Sequence, residues 1–122
     1  MINFNITTEL PGLNEYIKFE RANKFKAIKL KKQYTDICGL FSKKIKSKIK
    51  KDTNYSLIIN WTVKNNKKDP DNIYFAVKFI LDGMVKAGVL QNDTRRFIGS
   101  IHHNISTGEK YNIEVNLIAT ND

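Results

Sequence analysis

The chain has 122 residues, 41% hydrophobic and 11% aromatic, and its 21 lysines and arginines outnumber 12 acids to give a net charge of +9. This is enough apolar side chain for one folded domain spanning residues 1–122 without crosslinks. Cys38 is the single cysteine, which excludes an internal disulfide and zinc ligation by cysteines.

The first segment, Ile2 to Thr8, alternates. Ile2, Phe4 and Ile6 point one way, and Asn3, Asn5 and Thr7 the other, which predicts a strand with one buried face ended by Pro11-Gly12. Residues 13–23 are mixed and read as a short helix or ordered loop. From Lys24 to Lys50 the apolar residues Tyr34, Ile37, Cys38, Phe41, Ile45 and Ile49 recur at three- and four-residue steps, which predicts one long basic helix with Gly39 as a weak point. Cys38 falls on its apolar side, as a buried thiol would. Tyr55 to Lys64 alternates again, with Leu57, Ile59, Trp61 and Val63 on one face.

Asn65 to Lys68 is a basic turn. Asp69 then fits a helix N-cap and Pro70 the first helical position, where no backbone donor is needed. The helix is expected to run unbroken to Ala87 and stop at Gly88. Phe97 to Ser106 and Tyr111 to Thr120 complete the strands, with Gly108 turning a closing hairpin between them. The order β-α-β-α-β-β implies a two-layer α+β fold, a four-stranded mixed sheet packed by helices.

The excess of cations points to a polyanionic partner, with phosphate backbones first, because each lysine or arginine contact releases condensed counterions. Charge kept for solubility is the alternative. No run of about 18 apolar residues suggests a membrane span. The start, Met1-Ile2-Asn3-Phe4, lacks the charged and apolar regions of a signal peptide, so a cytoplasmic protein is expected.

Lys67-Lys68-Asp69-Pro70-Asp71-Asn72 is the most informative stretch. Acids are the minority in this chain, yet two lie one residue apart at a strand-to-helix corner, and Asn92-Asp93 brings a third after a turn. Three carboxylates of this kind are hard oxygen ligands suited to Mg²⁺. On a wheel of about 100° per residue, Lys78 and Asp82 fall within about 20° of Asp71, on the side opposite Ile73, Val77, Ile80 and Met84. Phosphodiester cleavage needs this set: carboxylates to hold metal, and a lysine such as Lys78 to meet charge in the transition state. An ordinary polar helix face with a Lys78–Asp82 pair is the plain alternative. A second apolar flank, Tyr74, Leu81 and Val85, suggests contact with a second subunit. His102 and His103 point to opposite faces of a strand, so they do not share a ligand.

Lys67–Asn72, Phe79-Ile80-Leu81-Asp82-Gly83, Lys86-Ala87-Gly88-Val89-Leu90 and Asn92-Asp93 resemble the RusA-type Holliday junction resolvases, small homodimeric Mg²⁺-dependent endonucleases frequent in phages. Leu13-Asn14-Glu15-Tyr16-Ile17 and the basic first helix extend the likeness over most of the chain. The resemblance implies metal ligation by Asp69, Asp71 and Asp93, with Mn²⁺ as a substitute, and a catalytic role for Lys78. It also gives Asp82 a place in the outer coordination shell. The family often has two adjacent acids where this chain has Asn92-Asp93, and often a lysine where it has Phe75. The expectation is a homodimer that resolves four-way DNA junctions by paired symmetric nicks in recombination and repair, in a bacterial or phage-infected cell. Lys43, Lys44, Lys67, Lys68, Arg95 and Arg96 would line the DNA path. A non-catalytic nucleic-acid-binding module and a structural adaptor are the alternatives.

Overall fold

Nine residues from Tyr55 to Val63 form β2, the strand on which the sheet is built. A computed structural model describes residues 1–120. In chain order it contains β1 (Ile2–Ile6), α1 (Leu13–Ala22), α2 (Lys24–Ser42), a 3₁₀ segment (Lys43–Lys48), β2, α3 (Pro70–Tyr74), α4 (Val77–Lys86), β3 (Ile98–Thr107) and β4 (Asn112–Ala119). The sheet order is β1-β4-β2-β3. β2 and β3 run parallel, while β4 is antiparallel to both β1 and β2. The architecture is the expected α+β fold with a four-stranded mixed sheet.

The expected hairpin does not form. β3 and β4 are joined by only four residues, yet β2 lies between them. The link steps over the end of β2, where the Gly108 N–H donates to the Val63 carbonyl at 2.9 Å. β4 carries the stronger apolar row, Ile113, Val115 and Leu117, and takes the interior place. β3 takes an edge.

One sheet face meets the helices. Phe4, Ile6, Leu57, Ile59, Trp61 and Val115 are almost wholly buried there, and burial of each such side chain is worth about 1.5–3 kcal/mol. The opposite face carries no helix and is lined with asparagines. Asn116 and, secondarily, Asn60 donate to Glu114, at 3.0 and 2.9 Å, and hold its carboxyl below the usual range.

Two predicted helices are each divided. The Ser42 hydroxyl donates to the Gly39 carbonyl at 2.8 Å, and the Lys43 N–H is shared between the Gly39 and Leu40 carbonyls. A side chain bonding back to its own turn tightens it, and α2 passes into the 3₁₀ segment. The second helix breaks at Phe75-Ala76, where 3.2 Å bonds from Ala76 to Ile73 and from Lys78 to Phe75 replace the regular ladder. Gly39 proves to be a packing residue. A Cβ there would lie 2.7 Å from the Gly83 carbonyl, and one on Gly83 would lie 2.5 Å from the Thr35 carbonyl. The two glycines let α2 and α4 touch backbone to backbone. Cys38 is buried beside this contact, and burial pushes its thiol up to about 12. Among the described residues no helix is long and apolar enough to cross a membrane.

Candidate functional site

The chain leaves β2 at Val63 and turns through Lys64–Lys68, where the Lys67 N–H donates to the Asn65 side chain at 3.0 Å. Asp69 then takes the extended backbone of an N-cap, φ −69° and ψ 153°, and Pro70 opens α3. The Asp69 carboxylate makes no capping bond, so it is not consumed by the helix start. Asp71 lies in the first turn, and both acids are exposed. Neither belongs to an ion pair among the described residues.

What rigidifies this corner is Asn72. It is 8% exposed, and its Oδ1 accepts the Asn14 backbone N–H at 3.0 Å, which ties the start of α3 to the start of α1. Gly12 makes room for it: a Cβ there would sit 2.5 Å from the same oxygen. The motif asparagine is therefore a structural clamp, a role the sequence reading did not assign. Lys68 is clamped as well, by an ion pair with Glu15 of α1. A cleft of about 220 Å³ opens beside the corner, with Leu10, Val63 and Tyr111 among its walls and Lys64, Lys67 and Lys68 around it.

Lys78 and Asp82 belong to α4, beyond the break at Phe75-Ala76, so the stripe drawn through Asp71 is not continuous. Lys78 is exposed and Asp82 half-buried. No ion pair joins them; instead Lys86 of α4 pairs with Asp36 of α2 at 2.7 Å.

Asp93 lies in the segment between α4 and β3. That segment is fastened to the residues just before β2. The Asp52 N–H donates to Gln91 at 2.6 Å, and Asn54 Nδ2 donates to the Arg95 and Arg96 carbonyls at 3.0 and 2.8 Å. Asp93 is thus at the beginning of β2, while Asp69 and Asp71 are beyond its end. A nine-residue strand spans about 26 Å at about 3.3 Å per residue. Among the described residues no group of three or more His, Cys, Asp or Glu side chains is placed to hold a metal ion. Within one chain the three carboxylates do not fit a single cation.

The basic residues divide the same way. Lys67 and Lys68 accompany Asp69 and Asp71. Lys43 and Lys44 begin a run with six lysines in nine residues, Lys43–Lys51, that leads into β2. They share the other end with Asp93, Arg95 and Arg96. Ile45 is fully buried and Ile49 half-buried, so two isoleucines anchor the run. Arg96 pairs loosely with Asp52 at 3.9 Å and lies over the Phe97 ring at 5.1 Å.

Trp61 is a core residue, and its Nε1 donates to His103 Nδ1 at 2.9 Å. His103 also stacks on Tyr74 with ring centroids 4.1 Å apart. His102 faces the uncovered side of the sheet, so the two histidines diverge as expected. Compared with protein-family models and with curated protein sequences, the chain matches none.

Proposed function

We propose that this protein is a Mg²⁺-dependent, structure-specific DNA endonuclease that works as a homodimer and cuts four-way junctions by paired symmetric nicks. The observation that carries the reading is the Asp69-Pro70-Asp71-Asn72 corner. Two exposed carboxylates stand on a rigid turn, uncompensated by ion pairs, in a chain of net charge +9. Surface acids placed for solubility alone do not call for a buried asparagine to fix the turn beneath them.

The separation of Asp93 adds a condition. A site using all three carboxylates takes Asp69 and Asp71 from one copy and Asp93 from another. Asp69 and Asp71 of one copy with Asp93 of another would hold a divalent cation, which would supply a more acidic water and neutralise charge on the scissile phosphate. The chain's own part is to fix the two carboxylates through Asn72 and Gly12, to offer Lys78 as an exposed cation on α4, and to hold the DNA backbone with lysines. Such backbone contacts give affinity and salt dependence rather than sequence choice.

The test is cleavage of a synthetic four-way junction, beside a matched linear duplex, in Mg²⁺ and Mn²⁺. Paired nicks are expected in the junction with wild type and not with Asp71→Asn. Tight junction binding without cleavage by wild type would favour the second reading, a non-catalytic nucleic-acid-binding module. The dispersal of the three acids within one chain is the observation on its side.

A further inference from the structure

The two edges of the sheet are finished differently. β1 has five residues, and its helix-side pair Phe4 and Ile6 is fully buried. β3 has ten residues with no charged side chain and no proline, and among the described residues it is hydrogen-bonded on one side only, to β2. Its other side presents a row of backbone N–H and C=O groups, which proteins usually guard with lysine, proline or a short strand. This chain has 21 basic residues and puts none on β3. The register with β2 places Ile101, His103 and Ile105 on the helix side. Both isoleucines are 36% exposed, because the helix layer reaches His103 through Tyr74 and leaves the strand on either side of it uncovered.

We propose that β3 is a homodimer contact, in which two copies pair β3 with β3 antiparallel about a two-fold axis at His103 to make one continuous eight-stranded sheet. A second copy is the occupant because the strand is self-complementary. A two-fold axis normal to the sheet pairs residues equidistant from it and keeps both helix layers on one face. With the axis at His103, Ile101 meets the second copy's Ile105, Ser100 meets its Ser106, and all four isoleucines leave water together. An axis at either isoleucine shortens the overlap and strands the other one. The exposed Phe25 and Ile28 of α2 are a poorer seam, since Lys24, Lys26, Lys29, Lys31 and Lys32 surround them and two copies repel there. Antiparallel pairing also sets opposite ends of two sheets side by side, as a shared carboxylate site requires. The inference rests on the second-copy part of the proposed function and not on its chemistry.

The test is molar mass against concentration by sedimentation or light scattering, with circular dichroism to verify folding. Wild type is expected to be a dimer, and Ile105→Lys a folded monomer. Ile118→Lys, at an isoleucine 38% exposed on the uncovered sheet face, is expected to remain a dimer. The double variant Ile101→Cys, Ile105→Cys is expected to oxidise to a covalent dimer, since paired strand residues lie about 4.5–5.5 Å apart. Either single cysteine variant is offset from its own copy and is expected not to crosslink. A wild type that is monomeric throughout overturns the contact. So does a dimer untouched by Ile105→Lys, which would leave the second-copy reading standing. Loss of the dimer in Ile105→Lys, with no junction cleavage by wild type, keeps the contact and removes the nuclease.

Discussion

The two ends of β2 carry the same kinds of residue in opposite proportion. Beyond its last residue the chain makes a clamped corner with two exposed acids, and one of the nearby lysines is already neutralised by Glu15. Before its first residue lie six lysines within nine positions, two arginines and a single acid of the predicted set. Residues 69 and 93 are near in sequence, but a helical crossover lies between them, and a crossover delivers the chain to the other end of a parallel pair. Proximity in sequence across such a unit means separation in space. The difference divides labour: one end is built to fix carboxylates, the other to attract polyanions.

The sharpest way to break that division is to mix variants. Asp71→Asn and Asp93→Asn should each lose junction cleavage by at least about 100-fold, the scale of a missing transition-state contact. Mixed and allowed to exchange subunits, they should recover single-strand nicking, because one site of the mixed dimer has Asp71 from one copy and Asp93 from the other. No recovery would mean that each chain uses its own acids. A smaller effect is expected at the corner itself. Asn72→Ala should lower stability by about 1–2 kcal/mol, the cost of losing the side-chain oxygen that accepts an N–H in the first turn of α1, whereas Asp71→Asn should change it by less than about 0.5 kcal/mol. Urea midpoints measure both, and equal values would remove Asn72 as the clamp.

The basic ends should separate by salt. Lys50→Gln with Lys51→Gln is expected to flatten the log–log salt dependence of junction binding by up to about 0.9 per charge. Lys68→Gln should flatten it less, because Glu15 already neutralises that lysine. Equal slopes would erase the contrast between the ends. The smallest effect concerns His103, midway along β3. Burial, and secondarily the charge of His102, hold it below the ordinary value of 6.5. The unfolded chain then takes up the proton more readily, so this contribution is complete above pH 6.5 and is lost as pH falls through the lower folded value. The fall in melting temperature from pH 8 to pH 5 should be shallower in His103→Gln than in wild type. Parallel curves would show that protonation leaves the Trp61 hydrogen bond untouched.

Periodicity made the elements legible. Alternation marked β1, β2 and β4, and the three- and four-residue steps found α2 and α4 but drew each too long, since α2 ends at Ser42 rather than Lys50 and α4 begins at Val77 rather than Pro70. Pairing was not legible, because a four-residue link between two strands reads locally as a hairpin. Nothing in that link records that β2 occupies the space between. The weaker apolar content of β3 was the available signal for an edge. The break at Phe75-Ala76 has no glycine or proline to announce it, so the wheel drawn through Asp71, Lys78 and Asp82 carried past a point where the phase changes. Chemistry was read from residue type and spacing. That found the Asp69–Asp71 corner, but not the placement of Asp93, which follows only once β2 and β3 are known to be parallel.

The position of β4 has a consequence for how the molecule comes into being. It is the last of the four strands to be synthesised, yet it is hydrogen-bonded on both sides and holds β1 and β2 together. Until it has left the ribosome, β1 has no strand partner and β2 has β3 alone. Joining residue 2 to residue 117 is also the most distant pairing in the sheet, and distant pairings are slow to form. The nascent chain therefore waits with two open strand edges and an uncovered apolar row, a state prone to aggregation. A solvent-facing lysine introduced on β2, at Thr62, should ease that interval without reaching the helix side of the finished sheet.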